Sequence, residues 1–368
     1  MKIPDYINHL TAYKPGKPIE ETQREYGLKQ VYKLASNENP LGPSPLVQKA
    51  LVSAIANQHL YPDPSQYELL KAGAQFWDIK SENISFGNGT DEIIDFLVRI
   101  FCRTQDQILF PQYSFQAYEV TAGACQVECV RAPLKNGWDF DLDKTIETFE
   151  KNRAKTKIVF IANPNNPTGT YMNATTMRAF LDYFRGQKEV LVVFDEAYFE
   201  FTRAKDYESA VSYLKTTENL VVLRTFSKIF GMAGLRLGAM LAGADVIQAY
   251  NKMRKPFNVS SLAQAAGIAA LKDQAFIKQT QQVTWAGLDY FYKELDRLKI
   301  DYIPSEGNFV LFDTKTDANQ VFEKLLRKGI ILRPVKNYGL PQHLRMSVGL
   351  EVENKAAIKA LAEVLNHG

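Results

Sequence analysis

The chain has 368 residues, 46% of them hydrophobic and 23% charged, enough for a large core and for two domains of ordinary size or one large and one small. Its 44 basic and 41 acidic residues give a net charge of +3, without the basic excess of a nucleic-acid binder, although a few placed cations could still receive a small anion. No apolar run reaches the ~18 residues of a membrane span, and the opening Met1-Lys2-Ile3-Pro4-Asp5-Tyr6 lacks a secretory hydrophobic stretch, so a soluble, cytoplasmic protein is expected.

Residues 1–44 are rich in Pro, Asn and Gly and read as an irregular arm that joins a smaller domain. From 45 to 254 the pattern is that of one large domain. Within it, Phe86-Gly87-Asn88-Gly89-Thr90-Asp91-Glu92 opens a helix predicted over 91–101. Glycines followed by free helix N–H groups favour an anion such as phosphate. Glu92 stands where a dinucleotide fingerprint would place its third glycine, and no Lys-Ser/Thr follows as in a P-loop. The plainer alternative is Thr90 or Asp91 as an ordinary N-cap.

Strand-length apolar runs follow at 106–110, 157–161, 190–194 and 220–223, with helical segments such as 174–185 between them. That alternation predicts a mostly parallel mixed sheet covered on both faces, an α/β architecture. The three cysteines, Cys102, Cys125 and Cys129, read as buried thiols, and none of the four histidines is close enough to another in sequence to suggest a metal site. From 255 to 368 the character changes. A long helical stretch over 261–298 precedes short strands near 308–313, 330–333 and 344–348 and helices near 317–328 and 352–366, the pattern of a smaller α+β domain.

Polar residues gather where the strands end. Strand 157–161 leads into Asn163-Pro164-Asn165-Asn166-Pro167-Thr168-Gly169, strand 190–194 into Asp195-Glu196-Ala197-Tyr198, and strand 220–223 into Arg224-Thr225-Phe226-Ser227-Lys228. Singly these are a turn, a helix cap and a surface charge. Together they lie on the rim where open α/β sheets bind ligands.

Thr225-Phe226-Ser227-Lys228, followed by Arg236 within Gly231-Met232-Ala233-Gly234-Leu235-Arg236-Leu237-Gly238, resembles the lysine signature of the fold-type I aminotransferases, which depend on pyridoxal 5′-phosphate (PLP). Asn166-Pro167-Thr168-Gly169 and Asp195-Glu196-Ala197-Tyr198 are similar to two further signatures of that family, in the same order. Asn37-Glu38-Asn39-Pro40, Tyr61-Pro62-Asp63 and Leu344-Arg345-Met346-Ser347-Val348-Gly349 extend the likeness over essentially the whole chain.

The resemblance implies that Lys228 holds PLP covalently and shuttles a proton, and that Asp195 faces the pyridine nitrogen. It implies that Asn166 and Tyr198 donate to the phenolate oxygen and that Tyr113 stacks on the ring. The phosphate would take amides at Gly89, Thr90 and Asp91, the hydroxyls of Thr225 and Ser227, and Arg236. Tyr61 would reach the phosphate from a neighbouring subunit, making a homodimer with shared sites. Arg345 would clamp the substrate anion, with Arg333, Tyr13 and Asn37 beside it, and the partners would be an amino donor and a 2-oxo acid.

Within the family the chain looks most like the histidinol-phosphate aminotransferases of histidine biosynthesis, through Leu332-Arg333-Pro334 and Tyr338-Gly339-Leu340-Pro341. That subgroup often has a second aromatic three residues after the stacking tyrosine. Here the place is Gln116, and the next tyrosine is Tyr118. An aromatic amino-acid aminotransferase and a PLP enzyme that decarboxylates threonine phosphate share nearly all these residues and stay open as alternatives. A non-enzymatic PLP-binding regulator fits less well, because Lys228 and Asp195 are both intact.

Overall fold

The computed structural model describes residues 3–8, 10 and 16–365. Its main sheet has seven strands in the spatial order Ile84–Gly87, Gly238–Ala242, Leu220–Thr225, Leu191–Asp195, Thr156–Ala162, Gln107–Pro111, Glu128–Ala132. The five strands from Leu220–Thr225 onward in that order are parallel, while Gly238–Ala242 runs antiparallel to both its neighbours. This is the mostly parallel mixed sheet that the apolar runs predict.

The runs are continuous because both faces of the sheet are covered. Side chains alternate along a strand. Val192, Val222 and Phe194 enter one apolar cluster, and Val193, Val221 and Phe160 enter the other, all fully buried. The first two strands in that order are not apparent in the sequence. Ile84–Gly87 is only four residues long, and Gly238–Ala242 is rich in the small residues that β-strands do not favour. Cys102 is buried, and burial pushes its thiol and that of Cys129 up to about 12, so neither is a ready nucleophile.

The predicted stretch 261–298 is two helices, Ser261–Lys272 and Gln274–Arg297, divided at Asp273, whose carboxylate caps the second by accepting from Phe276 N at 3.1 Å. Ala263, Ala266, Ala270 and Leu271 of the first helix sit in the same cluster as Phe86 and Phe226, on the main sheet. The second helix covers a four-stranded antiparallel sheet ordered Arg333–Pro334, His343–Ser347, Phe309–Asp313, Tyr302–Ile303. The predicted strand at 330–333 divides between two pairings. Ile330–Ile331 pairs in parallel with Tyr32–Lys33 of the arm, and Arg333–Pro334 pairs with His343–Ser347. Among the described residues no helix is long and apolar enough to cross a membrane.

Behind the central strand ends, Arg224 is buried between two carboxylates, 2.6 Å from Glu196 and 3.4 Å from Glu200, with its guanidinium 3.7 Å from the centre of the Phe199 ring. The long helix reaches this point, where Gln281 donates to Glu200 O at 2.6 Å and Trp285 to Phe201 O at 2.7 Å. One cation cannot fully offset two buried anions. Burial therefore raises both carboxyls, Glu200 to about 7.

A carboxyl raised in the folded state stabilises the fold below its ordinary range, and that stability is lost as pH rises through about 7. Glu200→Gln keeps the shape and removes the titration. Urea unfolding at about pH 5 and about pH 8 should show the wild type losing stability on the order of 1–3 kcal/mol more than the variant. Equal losses in the two proteins would show that Glu200 does not carry this titration.

Candidate active site

A cavity of about 210 Å³ opens at the carboxyl ends of the central parallel strands and is closed from above by the arm and the second sheet. Lys228, three residues beyond strand Leu220–Thr225, points its Nζ into it and donates to Ser36 O at 3.0 Å. Burial, helped by the nearby charge of Arg345, lowers its amine to about 8. A lysine so placed has an appreciable neutral fraction near neutral pH and can act as a nucleophile.

Asp195 closes strand Leu191–Asp195 and also lines the cavity. Burial raises its carboxyl to about 6, against two donors that favour the anion: the Tyr118 hydroxyl at 2.9 Å and Ala197 N at 3.2 Å. Tyr118 has no role in the sequence reading. It lies 77 positions from Asp195, and nothing local to either residue signals the contact.

Tyr198 accepts from Asn37 Nδ2 at 2.8 Å, which leaves its own proton to donate, and burial raises its hydroxyl to about 12. Asn37 has φ 54° and is fixed by the second sheet. Its N–H donates to Ser347 Oγ at 2.9 Å, Ser347 Oγ donates to its Oδ1 at 2.8 Å, and Asn308 donates to its carbonyl at 3.1 Å.

Arg345 is buried and donates to Asn166 Oδ1 and, at 2.8 Å, to Ala35 O. Because Arg345 takes Oδ1, the Asn166 amide nitrogen is the atom left to donate. Arg333 lies directly opposite Arg345 on the adjacent antiparallel strand, and both line the cavity. Two guanidinium groups on one wall give it a cationic character suited to an anion.

A second anion-binding corner lies at the start of helix Thr90–Phe101, whose N-cap is Gly89 at φ 79°. Gly89 itself donates to Gly87 O at 2.8 Å, so it forms the turn rather than offering an amide. The first-turn amides of Thr90 and Asp91 have no intrahelical acceptor. Arg236 approaches from below, 2.9 Å from Asp91 and 3.5 Å from Ser227 Oγ. Thr225 Oγ1 accepts from Ser227 N at 3.1 Å, and both residues line the cavity.

Not every expected residue lies here. Tyr113, with φ 58°, falls outside the cavity lining and packs 5.7 Å from Trp138 in a satellite cluster with Leu311 and Leu340. The aromatic of this segment that lines the cavity is Phe115. Counted from Phe115, the place three residues on is Tyr118, so the aromatic spacing is kept and only the register differs from the one that put Gln116 there. Tyr61 is 82% exposed and stacks on Phe257 at 4.6 Å, away from this chain's own cavity. Tyr13 lies outside the described residues.

A family model described as "Aminotransferase class I and II" matches residues 29–361. The chain belongs to the class I and II aminotransferase family. A histidinol-phosphate aminotransferase of Bdellovibrio bacteriovorus is 54% identical over 366 residues, 99% of this chain and 98% of that one. One from Anaeromyxobacter sp. is 43% identical over 364 residues, 99% of each chain. The crystal structure of histidinol-phosphate aminotransferase from Sinorhizobium meliloti, in complex with pyridoxal-5′-phosphate, superposes with a TM-score of 0.91 at 26% identity, covering 100% of this chain and 98% of that one.

The residues of this aminotransferase fit PLP on their own chemistry. A lysine of lowered basicity, a buried carboxylate and an anion corner match an aldehyde, a pyridine nitrogen and a phosphate. The corner has no room to spare. A Cβ on Gly238 would lie 2.5 Å from Thr90 N, and one on Gly89 2.5 Å from Arg236 Nη2. Gly238→Ala should push the helix start away and cost about 1–3 kcal/mol of stability in urea unfolding. A change below about 0.5 kcal/mol would mean that the corner yields freely.

Proposed function

We propose that this aminotransferase carries PLP on Lys228 and exchanges the amino group of L-histidinol phosphate with 2-oxoglutarate, giving imidazole acetol phosphate and L-glutamate. The observation that carries the substrate assignment is the opposed pair Arg333 and Arg345 at the cavity wall, across from the lysine and carboxylate. One cationic wall can take the phosphate monoester of one substrate and the side-chain carboxylate of the other in turn. The two relatives above carry the same substrate in their names.

PLP supplies an electron sink for the bond-making and bond-breaking at the substrate carbon. The chain supplies the rest. Lys228 Nζ would hold the cofactor and, as a free amine, would take a proton from substrate Cα. Asp195, ionised, holds a proton on the pyridine nitrogen. Tyr198 and the Asn166 amide would donate to the phenolate oxygen, and Phe115 is the aromatic of its segment available to pack on the ring. The amides of Thr90 and Asp91, the hydroxyls of Thr225 and Ser227, and Arg236 hold the phosphate.

The exposed side chains of Leu46, Val52, Ile55, Leu60 and Tyr61 are unusually apolar for a surface. A second copy of the chain covering them would form a homodimer in which Tyr61 reaches the neighbour's phosphate corner. A cytoplasmic setting is part of the same proposal; among the described residues no helix is long and apolar enough to cross a membrane. The large domain runs from 45 to the break at Asp273, because helix Ser261–Lys272 packs on the main sheet, and the small domain combines the arm with the remainder.

Lys228→Ala should replace the imine absorption of the PLP-loaded protein by that of noncovalent PLP and lower turnover by several orders of magnitude. Normal transamination by this variant would remove Lys228 from its role. Arg345→Lys replaces a fork with a point charge. Single-turnover titrations with histidinol phosphate and with phenylalanine should show the wild type preferring the phosphorylated donor and the variant losing that preference, at a cost of roughly 2–5 kcal/mol. A wild type that favours phenylalanine and ignores histidinol phosphate would make this an aromatic amino-acid aminotransferase.

A further inference from the structure

Tyr118 is one of the largest fully buried side chains of the molecule, and its hydroxyl has one partner, the Asp195 carboxylate at 2.9 Å. Its ring is held on three sides. Phe160 stacks on it at 4.5 Å with an interplanar angle of 13°, Phe110 lies at 5.9 Å, and Phe115 meets it edge-on at 5.8 Å. Phe160 is in the strand next to that of Asp195, so the ring that Tyr118 stacks on and the carboxylate it bonds lie on adjacent strands, with Tyr118 itself on helix Ala117–Ala124. Phe115 lines the cavity, and its carbonyl accepts from Tyr118 N at 3.2 Å. One short segment thus contributes a wall of the cavity and a proton donor behind it.

The donor matters because of where the carboxylate is. A buried carboxylate is penalised as an anion unless donors face it. Asp195 has two: Ala197 N on Oδ1 and Tyr118 on Oδ2. The other titratable groups facing the pair do not help. Asp91 and Glu196 are acidic and disfavour a second negative charge, and Tyr198 and Tyr338 are near Tyr118 without bonding to Asp195. Burial and Asp195 hold the Tyr118 hydroxyl well above its ordinary range, so it keeps its proton and faces the carboxylate as a donor. A carboxylate offers about four lone-pair positions, so two donors leave capacity for a protonated ring nitrogen on the cavity side.

We propose that Tyr118 is a positioning residue that keeps Asp195 ionised and oriented toward the cavity, and so sets how tightly and over what pH range the chain holds a pyridinium. This rests on the PLP reading above. Removing the hydroxyl leaves the ring packing intact and takes away one of two bonds to a buried charge.

The test uses the full-length protein. Tyr118→Phe should weaken PLP binding about tenfold, followed by absorbance, the size expected for a hydrogen bond to a charged group. In an Asp195→Asn background the same substitution should change PLP affinity less than about twofold, since it has no anion left to support. The cofactor-free proteins give a second readout. A raised carboxyl destabilises the fold above its ordinary range, so Tyr118→Phe should lower the unfolding temperature more at about pH 8 than at about pH 5. Equal loss of PLP affinity in both backgrounds, unchanged affinity, or a destabilisation independent of pH would each overturn the proposal and leave a packing role. A wild type that takes up no PLP would bring down the cofactor reading and this proposal with it. Uptake by the wild type with an unaltered variant would overturn this proposal alone.

Discussion

Keeping a carboxylate charged inside a sheet is the constraint around which this molecule is arranged. Asp195 ends a central strand with hydrophobic residues before it and the cavity in front of it. Burial alone would neutralise it, and an uncharged carboxyl could not hold a proton on a facing nitrogen. The fold answers with a backbone N–H from the turn that follows and a hydroxyl from a helix on the neighbouring part of the sheet. Lys228 is subject to the opposite half of the same physics. There burial favours the neutral amine, the form that can attack a carbonyl. Burial shifts both groups toward neutrality, and local donors favour the charged form of Asp195.

The arm forms one wall of the cavity. Three consecutive residues each engage one of its groups: Ala35 O accepts from Arg345, Ser36 O from Lys228, and Asn37 donates to Tyr198. The second sheet holds the arm from the other side, through Ser347 and Asn308 on Asn37 and through the parallel pairing of Tyr32–Lys33 with Ile330–Ile331. Any shift of the second sheet relative to the main one is therefore transmitted to the lysine, the phenol and the arginine together. The buried Arg224 cluster, bonded to both carboxylates and approached by the long helix, ties the two sheets at the back.

Much of this was legible in the sequence because the signals are local. Continuous apolar runs mark strands buried on both faces, and four of the main-sheet strands lie within a residue or two of where those runs predict them. The residues after those strands, Asn166, Asp195, Tyr198, Thr225, Ser227 and Lys228, must share a rim because parallel strands all end on the same side. A strand's end is a property of its own sequence, and parallel pairing does the rest.

What only the tertiary structure decided depends on partners far away in the chain. Tyr118 supports Asp195 because the sheet places helix Ala117–Ala124 against a strand end that lies 77 positions away in sequence. Phe115 rather than Tyr113 lines the cavity because of how one turn is threaded, with Tyr113 at φ 58°. Gly89 forms a turn and donates no free amide because its N–H is already bonded two residues back. Arg333 and Arg345 are twelve positions apart in sequence and opposite each other in register. Residue types announce chemistry, and local patterns announce elements. Which donor finally faces which buried charge is settled by packing, because the cost of leaving that charge unpaired is levied only in the folded chain.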